Sequence, residues 1–288
     1  MLTLQVLLNG LVLGCLYACI AAGFSLVWGV LNVINLMHGS FIVLGSYLAW
    51  LAYNGLGIDP WFTLLIAAPL FFALGYAVQR GVLNRVIAAP VLVTLTLTFG
   101  LDLILNNAMI VAFTADYRKL ILQPPLGVLQ AGALVLPLDR VLAMALALVL
   151  TGALYLILRR SRVGRGIIAV RLDRDAARLM GVNVKATYAV AFGLGAAMAG
   201  CAGVLLAMIF PISPLTSTAY LGKAFVVCVL GGLGSVPGAV AGGLFLGVIE
   251  SAGALAFGPE HGITLSFALL ILFLIFRPQG LLGKRGFE

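Results

Sequence analysis

Apolar positions in this chain gather into long runs instead of alternating with polar ones. The runs fall at about residues 4–30, 39–54, 60–80, 90–114, 140–158, 187–210, 219–233, 237–257 and 263–276. A helix rising ~1.5 Å per residue crosses a ~30 Å hydrocarbon layer in about 20 residues, and most of these runs suffice for that. The runs at 39–54 and 219–233 are short. Two interruptions are chemically marked: "VLNVINLMHGS" after the first run, with Asn, His and Gly, and "GGLGSVPG" in the seventh, with Gly and Pro. A transmembrane barrel needs short strands of period two, which these uniform stretches lack. The pattern predicts an all-α polytopic bundle of about eight full crossings plus a short broken segment. It forms one transmembrane domain over residues 1–288, with a polar loop at 159–186.

Composition agrees: 63% of the 288 residues are hydrophobic and only 9% are charged, against about 25% in ordinary soluble domains. The net charge of +8 reads as basic loops on one membrane face and not as a nucleic-acid surface. Residues 159–185 hold eight Lys/Arg against two Asp. With that loop in the cytoplasm and the runs alternating, the inside collects thirteen basic and three acidic residues. The outside collects Arg118, Lys119, Arg140 and Lys223 against Asp59, Asp116, Asp139 and Glu260. Positive charge stays inside, so the N-terminus is expected outside and the C-terminus in the cytoplasm, with an outer loop at about 115–139 turning at "QPPLG". The N-terminus lacks a basic leader region and a small-residue cleavage site, so no cleaved signal is expected. Cys15, Cys19, Cys201 and Cys228 all lie in apolar runs and read as small buried side chains. Spacings such as Gly10-x3-Gly14, Ala196-x3-Gly200, Gly238-x3-Gly242 and Gly243-x3-Gly247 predict helices packed backbone to backbone.

Within the basic loop, Asp173 is placed to cap a short helix "RDAARLM", Asp175 lies in its first turn, and Gly181 suits the left-handed residue that ends it. "GRGIIAVR" before it reads as another short turn. Ala176, Ala177 and Met180 then form the small or apolar side of a helix at the membrane face. Such a helix suits either a lipid surface with anionic headgroups or docking to a soluble partner.

"DAARLMG", Asp175 to Gly181, resembles the Glu-Ala-Ala-x3-Gly signature of ABC importer permeases, with Asp for Glu. "NGLVLGCLYACIAAGFSLVWGVLNVINLMHGSFIVLGSYLA", "TFGLDLILNN", "SRVGRGIIAVRLDRDAARLMGVNV", "GAAMAGCAGVLLA", "VLGGLGSVPGAVAGGLFLGVIE" and "RPQGLLGKRG" are similar, in order, to permeases of the branched-chain amino acid importers of the LivH type. The pattern departs from the fuller signature after Gly181: Ala191 stands at its Ile and no Leu-Pro follows. Asp102 also stands where relatives usually carry a small or hydroxyl residue. The resemblance implies a bacterial inner-membrane permease for branched-chain or related hydrophobic amino acids. It implies a second homologous permease, two ATPase subunits and a periplasmic or surface-tethered binding protein, and a coupling helix at Asp175, Ala176, Ala177, Arg178, Met180 and Gly181. A permease for urea or amides is the near alternative.

No G-x-x-x-x-G-K-[ST] pattern occurs, so ATP-driven transport would need a separate ATPase, and no enzymatic constellation, metal cluster or cofactor motif is present. An ion-coupled transporter titrating Asp102 or Glu250, and an intramembrane hydrolase using Ser235, are the readings from other classes. Asn32, Asn35 and His38 in the first break, Asp102 in the fourth run and Ser235 in the second break are the pathway candidates, because broken helices and intramembrane carboxylates commonly serve substrate. The bland reading is that Asn32, Asn35 and His38 cap helix ends. Asp102 is open to three readings: neutral and hydrogen-bonded in the bundle, meeting a substrate ammonium, or meeting a partner subunit. Glu250 reads as a structural pair or cap.

Overall fold

A computed structural model describes residues 2–87, 89–123, 127–131, 134–258, 261–277 and 279–282. The "QPPLG" turn falls partly outside them, and the charges Glu260, Lys284, Arg285 and Glu288 fall outside them.

Twelve helices appear among the described residues. They are α1 (Leu2–Leu31), α2 (His38–Leu56), α3 (Pro60–Val78), α4 (Asn84–Val86), α5 (Val91–Phe113), α6 (Leu138–Arg160), α7 (Arg162–Leu172), α8 (Arg174–Leu179), α9 (Val184–Ala207), α10 (Ser217–Gly231), α11 (Val236–Phe257) and α12 (Gly262–Phe276). A π-helical turn at Gln79–Leu83 joins α3 to α4, and a 3₁₀ turn at Pro214–Thr216 leads into α10. Seven stretches are long and apolar enough to cross a membrane: Thr3–Leu31, Pro60–Val86, Val91–Phe113, Leu138–Arg160, Val184–Ala207, Pro214–Gly231 and Val236–Phe257. The seventh run, expected to be short, reaches crossing length through its 3₁₀ turn. Apolar α12 has 15 residues. The chain is a multi-pass membrane protein.

The loop at 115–139 holds what the apolar pattern did not predict, an antiparallel hairpin of β1 (Val128–Ala131) and β2 (Leu134–Pro137), with Val128 opposite Pro137. The Gln5 side chain fastens it to the start of α1 through both backbone groups of Val135, at 2.8 and 3.0 Å. Arg118 exchanges backbone hydrogen bonds with Ile212 and lies 4.6 Å from the Trp50 ring centroid. One end of the bundle is thus the hairpin end; the opposite end carries α7 and α8.

Helices α1 and α9 form the centre and are almost wholly buried, whereas α5 exposes most of its surface. The four cysteines are buried with free thiols. Small residues set the helix spacing. A Cβ at Gly14 would lie 2.7 Å from the Leu244 Cα, and one at Gly10 2.7 Å from the Val248 Cα, so α1 and α11 meet backbone to backbone. Similar seams join α2 to α9 at Gly45 and Gly203, α3 to α9 at Gly75 and Gly193, α1 to α9 at Gly23 and Gly195, and α10 to α11 at Gly231 and Gly242. In lipid, where hydrophobicity does not drive helices together, such close approach gains dispersion contact.

Lys223, counted from sequence with the outside charges although it falls in the run at 219–233, lies within α10. Its Nζ donates to Glu250 Oε1 of α11 at 2.6 Å and to Tyr17 Oη of α1 at 2.6 Å. An unpaired ammonium among the helices would be costly, so this cation is held against its counter-ion. Glu250 takes the pairing role expected of it.

Candidate functional site

The first break forms where α1 stops at Leu31. Asn32 takes a left-handed conformation, φ +53°, that Asn tolerates better than most residues. The chain then runs back beside α1 without helical hydrogen bonds until α2 starts at His38. The His38 ring reaches the Ile20 carbonyl, eleven residues before the end of α1, with Nε2 3.0 Å from that oxygen. Unwound backbone is therefore held inside the bundle, where each free polar group needs a partner. Asn35 Oδ1 accepts from Met37 N at 3.1 Å, in the turn just before α2, and the Ile34 carbonyl accepts from Thr98 Oγ1 of α5 at 3.0 Å.

Thr98 belongs to a polar stripe on α5. Thr94, Thr98, Asp102 and Asn106 recur every fourth residue, the spacing that puts side chains on one helix face. Asp102 Oδ1 accepts from Ser40 Oγ of α2 at 2.5 Å, and Asn106 Nδ2 donates to Ser217 Oγ at the start of α10 at 2.9 Å. The carboxylate therefore faces α2 and the bundle. Two buried atoms by this stripe, Asn106 Oδ1 and Asn35 Nδ2, have no hydrogen-bond partner among the described residues. Buried amide atoms left unpaired are costly and are expected to meet a partner, such as a ligand or a water.

The sequence candidates separate. Asp102 joins Ser40, Thr98 and Asn106. Asn32 is exposed, and Asn35 closes a turn onto Met37 N without capping α2. His38 is fully buried, packed edge-on to Phe24, its ring turned to α1. Ser235 caps α11, accepting from Gly238 N at 3.1 Å, in a different part of the bundle. Ser40, Thr98 and Ser217 were missed; the four-residue polar spacing of α5 was the available signal.

At the basic end, α7 is an eleven-residue amphipathic helix, longer than the turn expected there, with Gly164, Ile167 and Val170 on its buried face. Asp173 Oδ1 caps α8, accepting from Asp175 N at 2.8 Å and Ala176 N at 2.9 Å. Gly181, φ +83°, closes it. Gly181 N donates to Arg178 O and Val182 N to Ala177 O, the paired bonds of a Schellman motif. The small side expected of this helix is corrected: Ala177 is 5% exposed and faces the protein, while Met180 is 85% and Leu179 88% exposed. Asp175, Ala176 and Arg178 are also exposed. The outward apolar pair is thus Leu179 and Met180, of which the sequence reading chose only the second.

Arg171, in the last turn of α7, donates from Nη1 to the Gly234 carbonyl of the second break at 2.6 Å. Partial burial lowers its pKa from the ordinary value, yet a guanidinium remains charged. A cavity of about 480 Å³ lies beside it, between α1, α6, α7 and the break.

A family model described as "Branched-chain amino acid transport system / permease component" matches residues 6–275. The chain is 35% identical to the high-affinity branched-chain amino acid transport system permease protein BraD of Pseudomonas aeruginosa, over 98% of this chain and 96% of that one. It is 36% identical to the corresponding protein LivH of Escherichia coli K12, with the same coverage. It is 29% identical to LivM of the same organism, over 93% of this chain and 68% of LivM. No solved structure matches it.

Proposed function

Since the chain belongs to the family of permease components of branched-chain amino acid transport systems, we propose that it is the membrane-spanning subunit of an ATP-binding cassette importer for branched-chain or related hydrophobic amino acids. On this reading the chain does no covalent chemistry. It offers a path opened alternately to the two sides, while ATP is bound and hydrolysed by two separate ATPase subunits. A binding protein delivers the substrate, and a second permease completes the path; the similarity to both LivH and LivM supports two related permease chains.

The observation that carries the reading is α8: capped by Asp173, closed by Gly181, and presenting Leu179 and Met180 outward on a basic loop. A short rigid helix with an exposed apolar pair ringed by charge suits a groove on a soluble partner, with the arginines steering the encounter. The loop is then cytoplasmic, the N-terminus outside and the C-terminus inside, with α2 and α12 adding to the seven crossings. The α5 stripe, with Asp102, Ser40 and Asn106, lines the path, where the carboxylate meets a substrate ammonium.

Neither the urea or amide reading nor the ion-coupled one is favoured, and the Glu250 carboxylate is engaged by Lys223. The test is reconstitution with the ATPase subunits and binding protein in proteoliposomes. Uptake of labelled leucine that needs ATP supports the proposal; uptake driven by an ion gradient without the ATPases refutes it.

A further inference from the structure

We infer that Arg171 is the positioning residue through which movement of the docking loop enters the membrane helices. This rests on the reading of α8 as the ATPase contact. Gly234, whose carbonyl receives the guanidinium, has φ +76° and sits in the break between α10 and α11. A Cβ added at Gly29, in the last turn of α1, would lie 2.7 Å from the Gly234 Cα, so α1 touches the same peptide. The chain after α12 returns to the same place: Leu281 N donates to the Leu230 carbonyl at 2.7 Å and Leu282 N to that of Gly231 at 3.1 Å. Three helices and a returning segment meet at the peptide that Arg171 holds.

The other side of the link is equally short. Asp173 caps α8, so one residue, Leu172, separates the grip on the break from the cap of the docking helix. No flexible linker absorbs a displacement of α8. A charge-assisted hydrogen bond from a half-buried guanidinium is stronger than a neutral one and directional, which suits it to carry force. The break moves with α10, whose first residue, Ser217, holds Asn106 of the α5 stripe. A shift at Gly234 therefore reaches the polar stripe through one rigid helix.

The experiment compares the unaltered complex with Arg171→Gln, Arg171→Lys and Gly234→Ala in proteoliposomes, reading leucine taken up per ATP hydrolysed, ATPase binding and thermal stability. A Cβ at Gly234 would lie 2.9 Å from Arg171 Nη2, so that variant displaces the guanidinium without removing it. Uptake per ATP is expected to fall about tenfold in Arg171→Gln, the size of losing one hydrogen bond to a charged group, and less in Arg171→Lys. In the two Arg171 variants ATPase binding and stability stay near those of the unaltered complex, whereas Gly234→Ala, at φ +76° and with its Cβ 3.0 Å from the Gly29 Cα, costs some stability as well. An unchanged ratio in Arg171→Gln and Gly234→Ala overturns the inference. So does a loss in Arg171→Gln that tracks stability or ATPase binding, since Arg171 is then only a structural tie. Failure of the ATPases to bind the unaltered chain overturns the parent reading itself.

Discussion

Breaking the Lys223–Glu250 pair from one side should harm the protein more than removing it whole. The side chains are 16% and 13% exposed, and Nζ lies 2.6 Å from Oε1. An exposed pair of this kind contributes about 0–1 kcal/mol. Here α10, α11 and α1 exclude most of the water, and Glu250 Oε2 is buried with no partner among the described residues, so either charge left alone is poorly compensated. Lys223→Met or Glu250→Gln alone should then cost about 3–5 kcal/mol. The double variant should lie within about 1–2 kcal/mol of the unaltered protein, because well-packed neutral side chains replace a buried pair at little net cost. Tyr17→Phe removes one neutral acceptor and should cost about 1 kcal/mol. At roughly 2–4 °C per kcal/mol, each single variant loses about 10 °C in the temperature at which detergent-purified protein aggregates, and the double recovers most of it. The scan rate must be held constant because unfolding of such proteins is commonly irreversible. If the double variant loses the sum of the two single losses, no coupling exists and the pair is solvated.

Asp102→Asn keeps an acceptor for Ser40, so assembly should be unchanged while leucine uptake falls about tenfold, the loss expected for a charge-assisted contact; unchanged uptake confines Asp102 to holding α2 against α5. Leu179→Asp with Met180→Asp should abolish ATPase pull-down at normal membrane insertion, whereas Ala177→Trp should lower the yield of folded protein because Ala177 packs inward. Retained pull-down in the double Asp variant removes α8 from the docking surface. Gly203→Ala drives a methyl group into the Ile42 carbonyl and should destabilise by about 1–3 kcal/mol, read as a lower aggregation temperature. Reporters fused after Ala131 and Val182 should respond as outside and inside respectively, and the reverse pattern would overturn the assigned topology.

Local chemistry was legible where it acts within a few residues. Asp173 and Gly181 announce α8, and Asn, Gly and Pro announce both breaks, because caps and left-handed turns are settled by neighbours in the chain. The glycine spacings named the α1–α11 seam for the same reason: four-residue repeats lie on one helix face. What the sequence hid depends on distant partners. Lys223 reads as one of the outside charges until Glu250, 27 residues away, is seen beside it. Ala177 looks like part of an outward face until the body of the protein covers it. The stripe on α5 was written in its period, but Thr in a helix usually bonds its own backbone, as Thr96 does with Leu92, and nothing local marks Ser40 or Ser217 as its partners. The hairpin arises in a loop whose apolar residues show no clear alternation, and its anchor is a single Gln near the start of α1, 130 residues away in sequence.

The glycine seams limit the kinematics of the molecule. A helix resting on a neighbour's backbone at a glycine cannot slide by one residue, about 1.5 Å, without carrying a side chain into that backbone. At the α1–α11 seam the residue arriving would be Leu13 or Cys15 in place of Gly14. The same holds where α9 meets α1, α2 and α3, and where α10 meets α11. These six helices are geared together and have almost no freedom of relative translation. Helices α5 and α12, held by ordinary side chains, keep theirs. Any large change of shape is then a rotation of the geared block as one solid against α5 and whatever chain stands beyond it, with few variables to control.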